Sequence, residues 1–599
     1  MLSTEKSFQQ FTFSWSHFWF AYLFFFYFSG FYQLFLYLSH QSGFNGFRQT
    51  VYMSFLWLIP LILFPRQTKS LSAIFGIILW STSLVLIGYY AVYGQNFSQS
   101  VLFILFESNI SEGSEYLESY FSWWIVLGFF IYTALAVFLW TKIKPLHSEA
   151  TMRMALTISI LAIVAWPTYD RLLVKHSTLK QALHAQMNRM EPAAPWHLIA
   201  GYIKYKEQLH DIEQNLLANK KLPPLQGLHD NNNETSNTLV LVIGESTNRQ
   251  RMSLYGYHRP TTPQLDAMKD DLIIFDQVFS PRPYTIETLE QVLSFADEKN
   301  PDVYLSRPTL MNLMKQAGYR TYWITNQQTQ TKRNTMLTTF SKQADEQIYL
   351  NNDRNQNSAH YDDVVLRPFK AILENPKFSN KNDQRKKFIV IHLLGTHRKY
   401  SYRYPEDSTV FQSNKDLPKW LNESQVEEYN AYDNAIHFND LVLSGLINTL
   451  KESGNNGFLA YLSDHGEEVY DNSKRLFTGR NEAAPTGPMY TIPFFVWQSD
   501  SWKKKHHSKL DVEKVVHRFY SSSDFIYTWT DLAGIDFKDF DATRSIVNAD
   551  FTKHPIWIGD PNKPKSLRDL RKEPFLARPE IPGKGQTNLM INNRSQQEI

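Results

Sequence analysis

Leu239-Val240-Leu241-Val242-Ile243-Gly244-Glu245-Ser246 is an apolar run of strand length that ends in a glycine, a carboxylate and a hydroxyl. Five consecutive aliphatic residues with no polar alternation read as a strand buried on both faces, as in a parallel sheet covered by helices. Working outward, Tyr322–Ile324, Phe388–Leu394, Phe458–Leu462 and Ile492–Trp497 are further strand candidates. Helical patterns lie between them: Thr309–Ala317, opened by Thr309 as an N-cap and closed by Gly318, and Glu423–Leu450. Strand and helix in alternation predict an α/β domain with a mainly parallel sheet, in which ligands bind beyond the carboxyl ends of the strands.

Those ends are chemically suggestive. The first strand runs into Glu245 and Ser246, the third into Gly395-Thr396-His397, and the fourth into Ser463-Asp464-His465-Gly466-Glu467. Carboxylates and imidazoles are donors that zinc accepts. Each also has an ordinary structural alternative: a helix cap for Glu245, a turn for Asp464, a satisfied loop histidine for His397. With no cysteine in the chain, disulfides, thiolate metal sites and a cysteine nucleophile are excluded. A covalent mechanism would need a hydroxyl, and Ser246, Thr285 and Thr288 all follow the first strand.

Upstream the composition changes. Five apolar stretches, Trp15–Leu38, Val51–Phe64, Leu71–Tyr93, Trp124–Trp140 and Met154–Trp166, fit membrane spans, the second and fifth being short. The first is too long and too aromatic for a removable signal peptide. Arg66 and Lys69 follow span two and Lys142, Lys144 and Arg153 follow span four, whereas the loop after span three carries Glu107, Glu112, Glu115 and Glu118 and no Lys or Arg. The positive-inside rule then puts the basic loops in the cytoplasm and everything after about residue 170 in the periplasm, against the minority signal of Arg48, Arg171 and Lys175. Leu172–Lys221 is polar with an apolar helical face at Trp196, Leu198, Ile199, Tyr202 and Ile203, suited to packing on the soluble domain or to lying in the membrane interface. Leu222–Ser236, with Pro223, Pro224 and three asparagines, reads as a linker. The expected division is therefore residues 1–170 as a five-helix transmembrane domain, 171–236 as a bridge, 237–575 as the periplasmic catalytic domain and 576–599 as a polar tail. Lys+Arg 61 against Asp+Glu 58 leaves a net charge of +3, which gives no reason to expect a nucleic-acid partner.

Ile243-Gly244-Glu245-Ser246, Ser253-Leu254-Tyr255-Gly256-Tyr257 with Thr261-Thr262-Pro263, Gly395-Thr396-His397, Tyr432-Asp433-Asn434 and Ser463-Asp464-His465-Gly466-Glu467, taken in order, resemble the phosphoethanolamine transferases of the alkaline phosphatase and sulfatase superfamily. Phe106-Glu107-Ser108-Asn109, Arg189–Trp196 and Ser280-Pro281-Arg282-Pro283-Tyr284-Thr285 look most like the branch that modifies heptose in the lipopolysaccharide core. The resemblance implies a multi-pass protein of the bacterial inner membrane. It makes Glu245, Asp464 and His465 zinc ligands, and Thr285, recognised by its spacing to Thr288 and Leu289, both a ligand and the nucleophile. Phosphatidylethanolamine would be the donor and lipopolysaccharide the acceptor. His397 would bind a second zinc or steady the transferred group, and Ser108 and Glu112 would bind the lipid headgroup. Lys332 and Arg333 are candidates for phosphate contact, with solvated surface charge as the ordinary alternative. Two departures stand out. Where relatives carry Tyr-Leu-His-Gly this chain has Leu476-Phe477-Thr478-Gly479, which favours one zinc over two, and without cysteines the nucleophile loop is expected to be held by packing alone. The rival expectations are a lipid A phosphoethanolamine transferase, a sulfatase- or phosphodiesterase-like hydrolase, a glycerol phosphate transferase and, from another class, an inactive membrane scaffold.

Overall fold

The structure is a computed structural model that describes residues 13–38, 44–93, 122–219, 222–232, 237–327, 340–351, 361–374, 386–473, 476–482, 484–506, 510–561 and 564–573. Two compact units result, Met1–His210 and Asp211–Ile599.

Among the described residues of the first unit, five helices are long and apolar enough to cross a membrane: α1 (Trp15–Leu38), α2 (Phe44–Leu63), α3 (Pro65–Ala91), α4 (Trp123–Lys142) and α5 (Ala150–Val174). The second and fifth are longer than their apolar runs because polar flanks continue the helix, from Phe44 through Arg48 into α2 and beyond Pro167 in α5. Several polar groups inside the unit are matched to one another, which offsets their removal from water. The Tyr27 hydroxyl donates to the Tyr132 carbonyl at 3.0 Å, and the Tyr132 hydroxyl donates to Ser83 Oγ at 2.9 Å. At one end Lys69 Nζ donates to the carbonyls of Trp140 and Thr141 at 2.7 and 3.0 Å, capping the last turn of α4 with a cation. The segment before α6 (Trp196–Asn219) docks on α1: the Ala194 N–H donates to Ser29 Oγ and Gln33 Nε2 donates to the Pro192 carbonyl. Trp196 stacks on Trp57 of α2, while Ile199, Tyr202 and Ile203 stay exposed.

The second unit is built on a sheet of seven described strands, in chain order β1 (Thr238–Gly244), β2 (Leu272–Phe275), β3 (Arg320–Thr325), β4 (Glu346–Tyr349), β5 (Lys387–His392), β6 (Gly457–Ser463) and β7 (Phe494–Gln498), arranged β2-β7-β6-β1-β5-β3-β4. Pairing is parallel from β6 to β4, and β7 runs antiparallel to both neighbours. The opening stretch is thus the central strand. Leu239, Leu241 and Ile243 point to one face and pack with α7 (Thr285–Val292), α8 (Leu310–Gln316) and α10 (Phe525–Ala533). Val240 and Val242 point to the other face, which α9 (Glu423–Glu452) covers. Fully buried side chains of this kind each contribute about 1.5–3 kcal/mol. Thr309 caps α8 through the Asn312 N–H as expected, and α9 opens on a capping box of Asn422 and Gln425.

Two expectations shift. β5 ends at His392 rather than Leu394, because the N–H groups of Leu394 and Gly395 turn to the buried Asp362 carboxylate at 2.9 and 2.7 Å. β2, the apolar run Leu272–Phe275, is only four residues long, and β4, Glu346–Tyr349, is short and polar, so neither stands out from sequence.

Candidate metal centre

The register of β1 with β6 pairs Gly244 with Ser463, so Glu245 and Asp464 leave the sheet side by side. The Asp464 N–H donates to the Gly244 carbonyl at 3.0 Å, and the Thr396 N–H donates to the Glu245 carbonyl at 3.0 Å, tying the loop after β5 into the same edge. Gly395 is required there: with φ of +57° it passes so close to Glu245 that a Cβ would lie 2.7 Å from backbone N and O atoms. Ser246 also has positive φ, +59°, and is held by both sides of the centre. Its N–H donates to Asp464 Oδ1 at 3.0 Å, its hydroxyl donates to Glu245 Oε1 at 2.7 Å, and its carbonyl accepts from the buried Tyr432 hydroxyl.

Glu245, Asp464 and His465, all buried, place one ligand atom each within 4.8 Å of one another, and among the described residues they are the group arranged to hold a metal ion. Thr285, the first residue of α7, joins them: Oγ1 donates to Glu245 Oε2 at 3.0 Å and lies 3.2 Å from His465 Nε2. Of the other two candidate hydroxyls, Ser246 donates to Glu245 Oε1 rather than to His465 Nε2, and Thr288 donates to the Arg282 carbonyl at 2.9 Å. The His465 Nδ1–H donates to the Gly466 carbonyl at 2.9 Å, which leaves the Nε2 lone pair facing the cluster.

The electrostatics call for a cation. Burial and the facing Glu245 carboxylate push the Asp464 carboxyl up. Burial would raise Glu245 too, but a protonated His465, donating to it and carrying charge, with Arg480 nearby, holds it well below the usual range, and zinc would take the place of that proton. Asp464 Oδ2 is buried and accepts no hydrogen bond. Two carboxylates, an imidazole and a hydroxyl, with one carboxylate oxygen left unpartnered, fit zinc. His397 is outside this group. Its Nδ1–H donates to the Arg398 carbonyl at 2.7 Å, and burial lowers its pKa to about 4, so the ring is neutral.

Comparison with known proteins identifies the relatives. Residues 237–535 match the sulfatase family. The chain is 48% identical over 568 residues to the phosphoethanolamine transferase EptC of Escherichia coli K12, spanning 94% of this chain and 97% of that one. This chain belongs to the phosphoethanolamine transferase family. CptA of Salmonella typhimurium, also a phosphoethanolamine transferase, is 49% identical over the same length, 97% of that protein. Among solved structures, the C-terminal periplasmic domain of E. coli EptC in complex with zinc superposes with a TM-score of 0.57 at 52% identity, over 60% of this chain and 99% of that one. The membrane-integral lipooligosaccharide phosphoethanolamine transferase A of Neisseria meningitidis shares the fold over 89% of this chain and 98% of its own, with a TM-score of 0.58 at 20% identity. The chain is thus a transferase with a multi-pass membrane unit and a periplasmic catalytic domain.

In this transferase the loop before Thr285, expected to be held by packing alone, carries an ion pair as well. Arg282, 3% exposed, donates through Nε and Nη2 to the two Glu482 carboxylate oxygens at 2.5 and 3.0 Å, and its carbonyl takes the Thr288 hydroxyl. A bidentate buried ion pair therefore does the bracing. The sequence displays Arg282 but gives no sign of a partner 200 positions away. Two further side chains reach the centre without a sequence signal: Gln327 Nε2 donates to Glu245 Oε2 at 3.4 Å, and Arg480 Nη1 lies 2.7 Å from His465 Nε2. Ser108, Glu112, Lys332 and Arg333 lie outside the described residues, as does the polar tail.

Proposed function

We propose that the protein transfers phosphoethanolamine from phosphatidylethanolamine to lipopolysaccharide in the bacterial inner membrane, with core heptose as acceptor, through a covalent intermediate on Thr285. The observation that carries this reading is the placement of Thr285 Oγ1 between Glu245 Oε2 and His465 Nε2 at the N-terminus of α7, in a chain nearly half identical to named phosphoethanolamine transferases.

Glu245, Thr285, Asp464 and His465 would hold one zinc ion, which supplies Lewis-acid lowering of the hydroxyl pKa. The Thr285 hydroxyl already points its proton at Glu245 Oε2. Oγ1 attacks the donor phosphorus, the phosphorus–oxygen bond to diacylglycerol breaks, and the proton given up by Oγ1 ends on the leaving oxygen. The helix N-terminus favours the negative charge that develops on Oγ1 and on the phosphoryl oxygens. Neutral His397 is suited to take the proton of the acceptor hydroxyl as that oxygen displaces Thr285 from phosphorus. Ser108 and Glu112 are assigned to the donor headgroup, where a carboxylate suits the ethanolammonium, and Lys332 and Arg333 to phosphate. The domain boundaries near residues 170, 236 and 575 follow the same assignment. A second zinc at His397 would show as a metal-to-protein ratio near two in place of one.

The test is mass spectrometry of the protein incubated with phosphatidylethanolamine, together with lipopolysaccharide from cells with and without the gene. A phosphoethanolamine adduct on Thr285 and a gain on core heptose are expected. An unmodified Thr285 during turnover would overturn the mechanism; a gain on lipid A, or release of free phosphoethanolamine alone, would overturn the acceptor.

A further inference from the structure

Two buried arginines of the catalytic unit are matched to carboxylates at hydrogen-bond distance. Arg251 has Asp433 and Asp471, each at 2.8 Å, and Arg282 has Glu482. Arg480 differs. It directly follows the short strand Thr478–Gly479, whose antiparallel pairing with Glu468–Val469 folds the chain back toward the metal centre. Its nearest carboxylate oxygen, Glu245 Oε1, is 3.9 Å away, outside hydrogen-bond range. Its Nη1 instead lies 2.7 Å from His465 Nε2, the nitrogen that also has Thr285 Oγ1 3.2 Å away; zinc on that nitrogen would take its lone pair and leave Nη1 to another acceptor. The guanidinium and the nucleophile oxygen thus flank the same atom. Of five N–H donors, those on Nη1 alone have a partner among the described residues, and the side chain remains 23% exposed, open to a ligand.

We infer that Arg480 binds the phosphoryl oxygens of the group being transferred, and is a catalytic residue of this enzyme. This rests on the threonine-centred transfer proposed above. A phosphoryl group on Oγ1 projects its non-bridging oxygens one bond beyond the nucleophile, into the space the guanidinium faces. A planar fork of donors matches two such oxygens in a way that a point charge does not. The contact strengthens as negative charge accumulates on those oxygens, so its largest effect falls on the chemical step. A purely structural role, as counter-charge to Glu245, Asp464 and the buried Glu467, makes the opposite demand, since losing the cation would then disturb the centre itself.

The full-length protein in detergent, loaded with zinc, separates these roles. In Arg480→Gln, kcat should fall about 10²-fold with KM changed far less, and inorganic phosphate, used as a probe in titration calorimetry, should bind about ten-fold more weakly. Zinc content and thermal midpoint should match the parent. Arg480→Lys should recover part of the phosphate affinity and little of kcat. Phosphate affinity and kcat both within about two-fold of the parent, or loss of bound zinc in the Gln variant, would overturn the assignment. Thr285→Ala runs alongside: if it still transfers, the threonine reading fails whatever Arg480 does. If it is inactive while Arg480→Gln keeps parental kcat and phosphate affinity, only the arginine assignment falls.

Discussion

Replacing Arg251 by Met removes a cation from the most enclosed ion-pair network in the catalytic unit while keeping much of its volume. Arg251 has no exposed side-chain surface. It donates from Nε to Asp433 Oδ1 at 2.9 Å, from Nη1 to Asp471 Oδ1 at 2.8 Å and from Nη2 to the Tyr429 carbonyl at 3.2 Å, with its guanidinium 3.5 Å over the Tyr429 ring. In the variant Asp433 keeps Arg259, at 2.8 Å, and the Tyr257 hydroxyl. Among the described residues Asp471 keeps only the Val469 N–H, so most of the cost falls there. Breaking one side of a buried pair costs about 3–5 kcal/mol, a factor of roughly 10² to 10⁴ in the unfolding equilibrium. The sign with pH follows from the acid. Burial raises Asp471 and Arg251 lowers it, so removing Arg251 raises it further. The stability deficit then grows as pH rises from the unfolded carboxylate pKa through the higher folded one, and is smaller at about pH 5 than at pH 8. Pulse proteolysis of the full-length protein across a urea series reads the loss. Adding Asp471→Asn should return at least about 1 kcal/mol, because the orphaned charge is gone. A loss below about 1 kcal/mol in the single variant, or simple additivity in the double, would refute the reasoning.

Thr285→Ala is expected to fold with an unchanged thermal midpoint and to transfer no phosphoethanolamine in a lipid-donor assay; turnover at the parental rate sinks the nucleophile assignment. Chelation should abolish transfer and zinc should restore it, with activity surviving complete metal removal, checked by elemental analysis, as the contrary result. Arg282→Leu should lower kcat about ten-fold or more, since the brace that aims α7 is lost, and should leave Glu482 as a half-buried unpaired carboxylate. Burial, helped by Glu287, raises the Glu290 carboxyl to about 8. The folded state therefore holds a proton that the unfolded chain releases near 4.5, and stability is lost as pH rises between those values. Glu290→Gln should flatten the melting temperature against pH over that window by the equivalent of up to about 5 kcal/mol, and an unchanged profile would count against the shift.

Much of the architecture was legible because it depends on local pattern. The run Leu239–Ile243 is central and doubly buried, as its lack of alternation implies, and the apolar stretches of the first third are helices of membrane-spanning length. The strand ends that carry Glu245, Asp464 and His465 do converge, because parallel strands in register present the same end to the same edge. What escaped depends on partners far along the chain. The antiparallel direction of β7 is invisible in Phe494–Gln498 itself. The Arg282–Glu482 brace and the approach of Arg480 come from segments about 200 and 15 residues from the side chains they meet, across turns whose geometry no local pattern encodes. Residues such as Asp362, whose carboxylate ends β5 early by capturing two backbone N–H groups, look from sequence like any surface acid.

The place of β1 in its sheet bears on how the protein is made. The central strand is the first of the sheet to leave the ribosome, yet its two neighbours, β5 and β6, begin at Lys387 and Gly457. For the whole of that interval its backbone groups have no sheet partner, and pairing across so long a loop is slow. Asp464 and His465 lie beyond both neighbours, so Glu245 and Thr285 cannot meet them until most of the periplasmic chain has been exported. Nascent and truncated chains thereby lack the assembled site, and activity becomes a property of completed molecules only.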